Sequence, residues 1–435
     1  IAGAKLTGKV GSLNVGYLGA IDESFDAGAP NTAVNLVRVR QDLGAASTIG
    51  AVYTDRTVAA NEYNRVAGAD ARLQLGPRYL LTMMGAASFT NTPDQTSRAT
   101  GQLLNAKIER AGRAFSFNAE LEDTDADFNA GSGFFRRVGD TQFNSRLSYN
   151  WFGQRGALIQ QVGPSLELKG YWDHDAFWDG EGLQESEAQL GWRVGFRGNI
   201  MFWGNYKQSM LDFAPEAYEG LVVQQGDGSY SDFRPAQDLF SGLGSTTMAL
   251  FVNNWERIRG SIRYTVSETP VFDRSFGVAV EPADSRSGDV TVNLYPTRSL
   301  VAELGVRRTT LRRRTDGVEI STATIPRVRA QYQFTRSLFV RGIFEYSSQE
   351  RLALTDPATG LPLYRVNSDG EYSERSGSDG YDFHIEGLVS YEPSPGTVFY
   401  VGYTRQMADT ESFRFRNVQA MADGLFVKLS YRFRM

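Results

Sequence analysis

Apolar and polar side chains alternate one by one along most of this chain, a period that only β-strands can use. In LFVKLSYRFRM, Leu425, Val427, Leu429, Tyr431, Phe433 and Met435 form one set. Phe426, Lys428, Ser430, Arg432 and Arg434 form the other. In FNSRLSYNW, Phe143, Ser145, Leu147, Tyr149 and Trp151 alternate with Asn144, Arg146, Ser148 and Asn150. IRGSIRYTV (258–266), FSFNAELE (115–122) and AQLGWRVGFR (188–197) repeat the pattern, and helical spacing of apolar residues is absent over any useful length. The chain reads as all-β. Each strand has one apolar face, which needs either a soluble core or lipid, and one polar face, which needs water.

The connections choose between these. Short ones fall at Leu75–Arg78, Ala111–Gly112, Gly198–Asn199, Pro296–Ser299 and Thr335–Ser337. Long ones, rich in Asp, Ser and Gly, span 22–31, 125–139, 214–243, 268–286, 350–379 and 408–422. Short periplasmic turns alternating with longer extracellular loops are the rhythm of an up-and-down outer-membrane barrel. The pattern predicts 21 strands, the first near 4–9 and the last near 423–434. The expected fold is therefore a large transmembrane antiparallel β-barrel of roughly 20 to 22 strands in the outer membrane of a Gram-negative bacterium. If short turns are periplasmic, the C-terminus is periplasmic and the first strand starts outside. An even strand count then calls for an upstream strand or domain before Ile1, with residues 1–435 as one barrel domain. Two hairpins share Thr-Arg-Ser-Leu, at 297–300 and 335–338, which reads as one local demand met twice.

Composition removes other classes. The 435 residues include 45 basic and 50 acidic ones, a net charge of -5 that makes no electrostatic case for nucleic acid. Without cysteine there is neither a disulfide framework nor a thiolate metal site. No apolar run is long enough for a transmembrane helix.

Several stretches resemble a family of Gram-negative outer-membrane proteins that join an N-terminal carbohydrate-binding-like sandwich domain to a C-terminal β-barrel domain of unknown function. They are AGAKLTGKVGSLNVGYLGA (2–20), NLVRVRQDLGAASTIGAVYTDR (35–56), YNRVAGADARLQL (63–75), DFNAGSGFFRRVGD (127–140) and the terminal LFVKLSYRFRM. The resemblance implies that only the barrel part is present here, and it supplies no catalytic residues.

The polar faces carry the residues that could act on a solute. Arg38, Arg40, Arg146, Arg193, Arg197, Arg259, Arg263, Arg307, Arg341 and Arg432 are expected to point into the lumen, answered by Asp70, Glu120, Glu122, Glu167, Glu303 and Glu345. Inward Tyr171, Trp203, Phe339 and Tyr400 could stack on sugar rings. Alternation also puts Asp382, His384 and Glu386 on one face, while His174 sits at a loop edge beside Asp173, Asp175 and Asp179. Asp123, Asp125 and Asp127 have the spacing of a calcium loop but lack its closing glutamate, Phe134 standing there. A surface calcium ion at these aspartates is the one cofactor the sequence allows.

These readings predict a non-enzymatic pore or transport channel for polar solutes, glycan fragments among them. The alternative is a non-conducting anchor or scaffold for a carbohydrate-binding domain or partner protein. A TonB-dependent transporter would fit the strand number but needs a plug of roughly a hundred residues or more. Expected partners are outer-membrane lipid and lipopolysaccharide, the barrel-assembly machinery, and a carbohydrate or a periplasmic or surface partner.

Overall fold

The computed structural model describes residues 2–22, 30–93, 97–135, 137–273, 277–367, 369–394 and 396–431. Arg432 and the terminal Phe433, Arg434 and Met435 lie outside the described residues, as does most of the 22–31 connection. The first strands are β1 (Ala2–Val10), β2 (Leu13–Asp22), β3 (Thr32–Leu43), β4 (Ser47–Ala59), β5 (Glu62–Leu75), β6 (Tyr79–Asn91) and β7 (Ala99–Arg110). They continue as β8 (Phe115–Thr124), β9 (Asp140–Tyr149), β10 (Trp151–Phe152), β11 (Ile159–Asp173), β12 (Leu183–Phe196) and β13 (Ile200–Asp212). Next come β14 (Leu221–Gln224), β15 (Tyr230–Asp232), β16 (Leu239–Val252), β17 (Ile258–Asp273), β18 (Val278–Leu294) and β19 (Leu300–Arg313). The last are β20 (Glu319–Gln333), β21 (Leu338–Arg351), β22 (Leu363–Val366), β23 (Tyr372–Glu374), β24 (Ser378–Ser394), β25 (Thr397–Ala408) and β26 (Gln419–Ser430). Among the described residues helix is confined to α1 (His174–Phe177) and a 3-10 turn at Pro215–Tyr218. No helix of the described residues is long and apolar enough to cross a membrane.

Among the described residues the strands divide into a 22-stranded antiparallel sheet and a four-stranded one. Within the large sheet β10 is a two-residue fragment after β9, so 22 less one leaves the 21 long strands that the alternation predicts. The chain forms two compact units: residues 1–151, 163–190 and 209–211, and residues 152–162, 191–208 and 212–435. In the first unit each of β1 to β9 is laddered to the next, and β9 to β11. In the second, β16 to β21 follow one another, then β24, β25 and β26. The ladders described for the terminal strands are β1 with β2 and β26 with β25, and both strands are exposed along almost their whole length.

The tight turns form where the sequence places them. Gly76 has φ +75°, and Gly198 and Asn199 have φ +87° and +58°, a pair of left-handed residues that matches the twist of a two-residue hairpin. The repeated Thr-Arg-Ser-Leu makes the same turn twice. Thr297 Oγ1 accepts from the N–H groups of Ser299 and Leu300 at 3.2 and 3.1 Å. Thr335 does so from Ser337 and Leu338 at the same distances.

The long connections depart from expectation. Residues 268–286 are not a loop: β17 runs on to Asp273 and β18 begins at Val278. Pro270 and Pro282 make this stretch look broken, but they stand opposite each other. Each lies just past the end of the ladder on its other side, at Ser245–Ser267 and Ala283–Arg313, where no strand needs an N–H. The connections 214–243 and 350–379 also contain strands. Together they build the four-stranded sheet β15-β14-β22-β23. Leu221, Val223 and Leu363 on one of its faces join Tyr218, Phe233, Val271, Val278, Val280, Ile320 and Leu354 in a buried core. Two buried ion pairs border that core. Arg375 meets the fully buried Asp273 through Nε–Oδ2 at 2.7 Å and Nη2–Oδ1 at 3.1 Å. Arg313 Nε lies 2.8 Å from Glu281 Oε2. Tyr218 donates its phenol to Ala279 O at 2.9 Å, and burial, with Asp238 nearby, pushes that phenol up to about 12.

Candidate functional site

Partners across an antiparallel ladder share a face, so the registers sort every side chain. In the first unit one face runs through Arg38, Val52 and Gly68, and through Gly50, Asp70 and Met84. Further along it carries Asn105, Glu122 and Gln142, then Lys107, Glu120, Asn144 and Lys169, then Asn118, Arg146 and Glu167. Arg40 lies on this face too, opposite Gly50. Its charges are paired. The Arg38 guanidinium forks onto Asp70, with Nη2–Oδ1 at 2.8 Å. Lys169 bridges Glu167 and Glu187 at 2.9 and 3.1 Å, and Arg146 lies 3.6 Å from Glu167. Asn105 donates to Glu120 and Glu122 at 3.0 and 2.9 Å.

The second unit has the same construction. Ala249, Arg263, Asp289 and Arg307 form one rung; Arg259, Asn293, Glu303 and Arg329 form another. Arg327 faces Glu345 and His384, while Gln331 faces Arg341. Ion pairs run along it: Arg307–Asp289 at 3.4 Å, Arg327–Glu345 at 3.6 Å and Arg341–Glu386 at 2.8 Å. Asp382, His384 and Glu386 share this face as the alternation requires. Arg263 sits 5.8 Å above the Trp203 ring and Arg259 5.0 Å above Tyr295. A Cβ on Gly204 would lie 2.7 Å from Trp192, so the indole covers that glycine on the face opposite Trp203. Arg193 and Arg197 therefore belong to the Arg263 face. The ladders place Tyr171, Phe339 and Tyr400 on the polar faces as well.

The other faces are apolar and exposed. In the second unit Ile262, Val290 and Val306 lie on one rung, exposed by 51, 37 and 42%. Leu304, Val328 and Phe344 follow on the next, at 41, 42 and 40%. The first unit shows Tyr53, Ala67 and Ala87, and Ala106, Leu121 and Phe143. Rung after rung of this kind makes an apolar surface far larger than a water-soluble protein tolerates. Only lipid meets that demand while the ladders satisfy the backbone. The chain is an outer-membrane β-barrel protein.

The aspartates with calcium-loop spacing do not converge. Asp123 lies on the apolar face, opposite Thr141, and is buried. It accepts from Thr141 Oγ1 at 2.5 Å and lies 2.8 Å from His174 Nδ1. Asp125 instead accepts from the backbone N–H of Asp127 at 2.8 Å, an Asx turn. Among the described residues no three His, Cys, Asp or Glu side chains gather as metal ligands would. Burial works against a charge on His174, but the Asp123 hydrogen bond and the charges of Asp123, Asp125 and Asp175 outweigh it and raise its pKa. Alternation along 119–127 cannot show this pair, because Asp123 on β8 and His174 on α1 are 51 residues apart in the chain.

No family model matches the chain, and no curated protein matches it. Among solved structures it is similar to the copper transporter OprC, with a TM-score of 0.48, 10% identity, and 90% of this chain and 68% of that one covered. It is also similar to the alcaligin receptor FauA of Bordetella pertussis (0.45, 9%, 91% and 73%) and to OmpT, an outer-membrane protein of Vibrio cholerae (0.36, 13%, 88% and 98%).

Proposed function

We propose that the polar faces line a wet path and that the protein is a pore or transport channel for polar solutes, glycan fragments included. The observation that carries this reading is the charge lattice itself. Its arginines are held by neighbouring acids yet stay open to water, Arg307 by 61% and Arg146 by 59%. A face that served only to stiffen a dry wall would bury them. Trp203 and Tyr295, each under an arginine, offer rings to sugar faces. In this reading the C-terminus is periplasmic, no residue is catalytic, and no cofactor is needed. Single-channel recordings of the purified protein in planar bilayers test it. A steady conductance is expected, with selectivity moving toward cations in the Arg146→Glu, Arg307→Glu variant. A silent bilayer sinks it in favour of the second reading, a non-conducting anchor for a carbohydrate-binding domain or partner. The packed four-stranded sheet favours that alternative, since long loops that fold together can present a surface as well as restrict a path.

A further inference from the structure

The connection between β25 and β26 lies against the apolar, membrane-facing side of the second unit. Phe413 and Phe415 both pack on Tyr346, with ring centroids 4.8 and 5.3 Å away, and Phe415 also meets Phe383 at 5.4 Å. Tyr346 and Phe383 face each other across β21 and β24, on the side opposite the charge lattice. The buried Tyr346 accepts the Phe413 N–H at 2.9 Å, and the Ser348 and Ser412 hydroxyls are 2.8 Å apart. Two further observations single this segment out. Phe413 and Phe415 have φ of +55° and +53°, a left-handed conformation that bulky side chains avoid and that only a surrounding structure can hold. Despite these contacts, both residues remain about half exposed, at 47 and 52%.

The left-handed turns keep both rings on the wall while Arg414 and Arg416 alternate with them. Arg414 has only a solvent-exposed pairing with Glu411 at 3.1 Å, and among the described residues Arg416 has no partner. Nearby charges fix the depth. Arg405, Ile385 and Phe344 form the rung next to Tyr346, Phe383 and Met407. Arg405 Nε lies 3.7 Å from Asp423, to which Tyr403 also donates its phenol. A charged cluster on a lipid-facing wall belongs at the headgroup level rather than in hydrocarbon. Aromatic rings at that level, with cations between them, suit acyl chains and phosphates together.

We propose that residues 412–417 are a clasp for lipid A, with Phe413 and Phe415 among its acyl chains and Arg414 and Arg416 on its phosphates. The choice of this phosphorylated outer-leaflet glycolipid rests on the orientation proposed above, in which long connections are extracellular. Native mass spectrometry of the detergent-purified protein, titrated with bisphosphorylated lipid A, tests the clasp. Wild type should retain the lipid, and Arg414→Gln, Arg416→Gln should retain roughly tenfold less, as expected when charge-assisted phosphate contacts are lost. Arg414→Lys, Arg416→Lys should restore part of the retention, and unchanged heat-modifiable migration will show that each variant is folded. Equal retention of dephosphorylated lipid A, or no loss in the glutamine variant, overturns the clasp. Equal retention of phosphatidylglycerol overturns its assignment to lipid A. The orientation is read separately. With no native cysteine, Val418→Cys should react with an impermeant maleimide on intact cells, and protection there refutes the outside placement whatever the conductance shows.

Discussion

Val194 and Arg193 are neighbours in sequence and face different solvents. Val194 shares the lipid side with Trp192, and Arg193 the side of the charge lattice. Val194→Arg should therefore cost about 2–4 kcal/mol at mid-membrane depth. Arg193→Gln should cost about 0–1 kcal/mol, as for an exposed ion pair. Reversible unfolding into lipid vesicles measures both, and the reverse ranking would invert the facing assignment. His174 is a second test at this scale. Its folded pKa is raised, so the Asp123–His174 pair stabilises the protein fully below the unfolded histidine value of about 6.5. That contribution fades as pH rises through the folded pKa. Asp123→Asn should remove it, so that wild type and variant differ most in acid and converge in alkali when thermal unfolding is followed against pH.

At the level of elements, the connections 214–243 and 350–379 behave as one folded cap rather than as separate loops. Arg375 reaches Asp273 across 102 residues of chain, and Asp273 is fully buried at the tip of β17. Arg375→Met takes the two-pronged guanidinium away from that buried carboxylate and should cost about 3–5 kcal/mol. The loss should be local, seen as faster proteolysis within 352–377 while the large sheet stays intact. Asp273→Leu with Arg375→Met should recover most of it, because removing both charges removes the desolvation cost as well. If the single variant is as resistant as wild type, the pair does not hold the cap. The strands β14, β15, β22 and β23 are three or four residues each, too short for alternation to declare them. They exist because a common core covers their apolar side, and that core includes Ile320 and Val271 from strands distant in sequence.

For the molecule as a whole, exposed apolar rungs and satisfied ladders predict a protein stable only in detergent or lipid. Unheated samples should migrate differently from boiled ones on gels, and circular dichroism should be dominated by strand. A monomer soluble without detergent would contradict the membrane assignment.

The all-β class, the 21 long strands, the tight turns and the division of Arg38, Arg146, Arg263 and Arg307 from the apolar face were legible in the sequence, because a period of two acts between neighbours. The same locality explains what was not. The continuation of β17 and β18 past two prolines depends on where adjacent ladders end. The move of Asp123 from a supposed calcium loop to a partnership with His174 depends on which strands become neighbours. The four-stranded cap and the seating of Phe413 and Phe415 on Tyr346 are contacts between segments far apart in the chain. Alternation assigns each residue a side; only the tertiary structure decides what it meets there, because burial and pairing are energies of contact and not of sequence order.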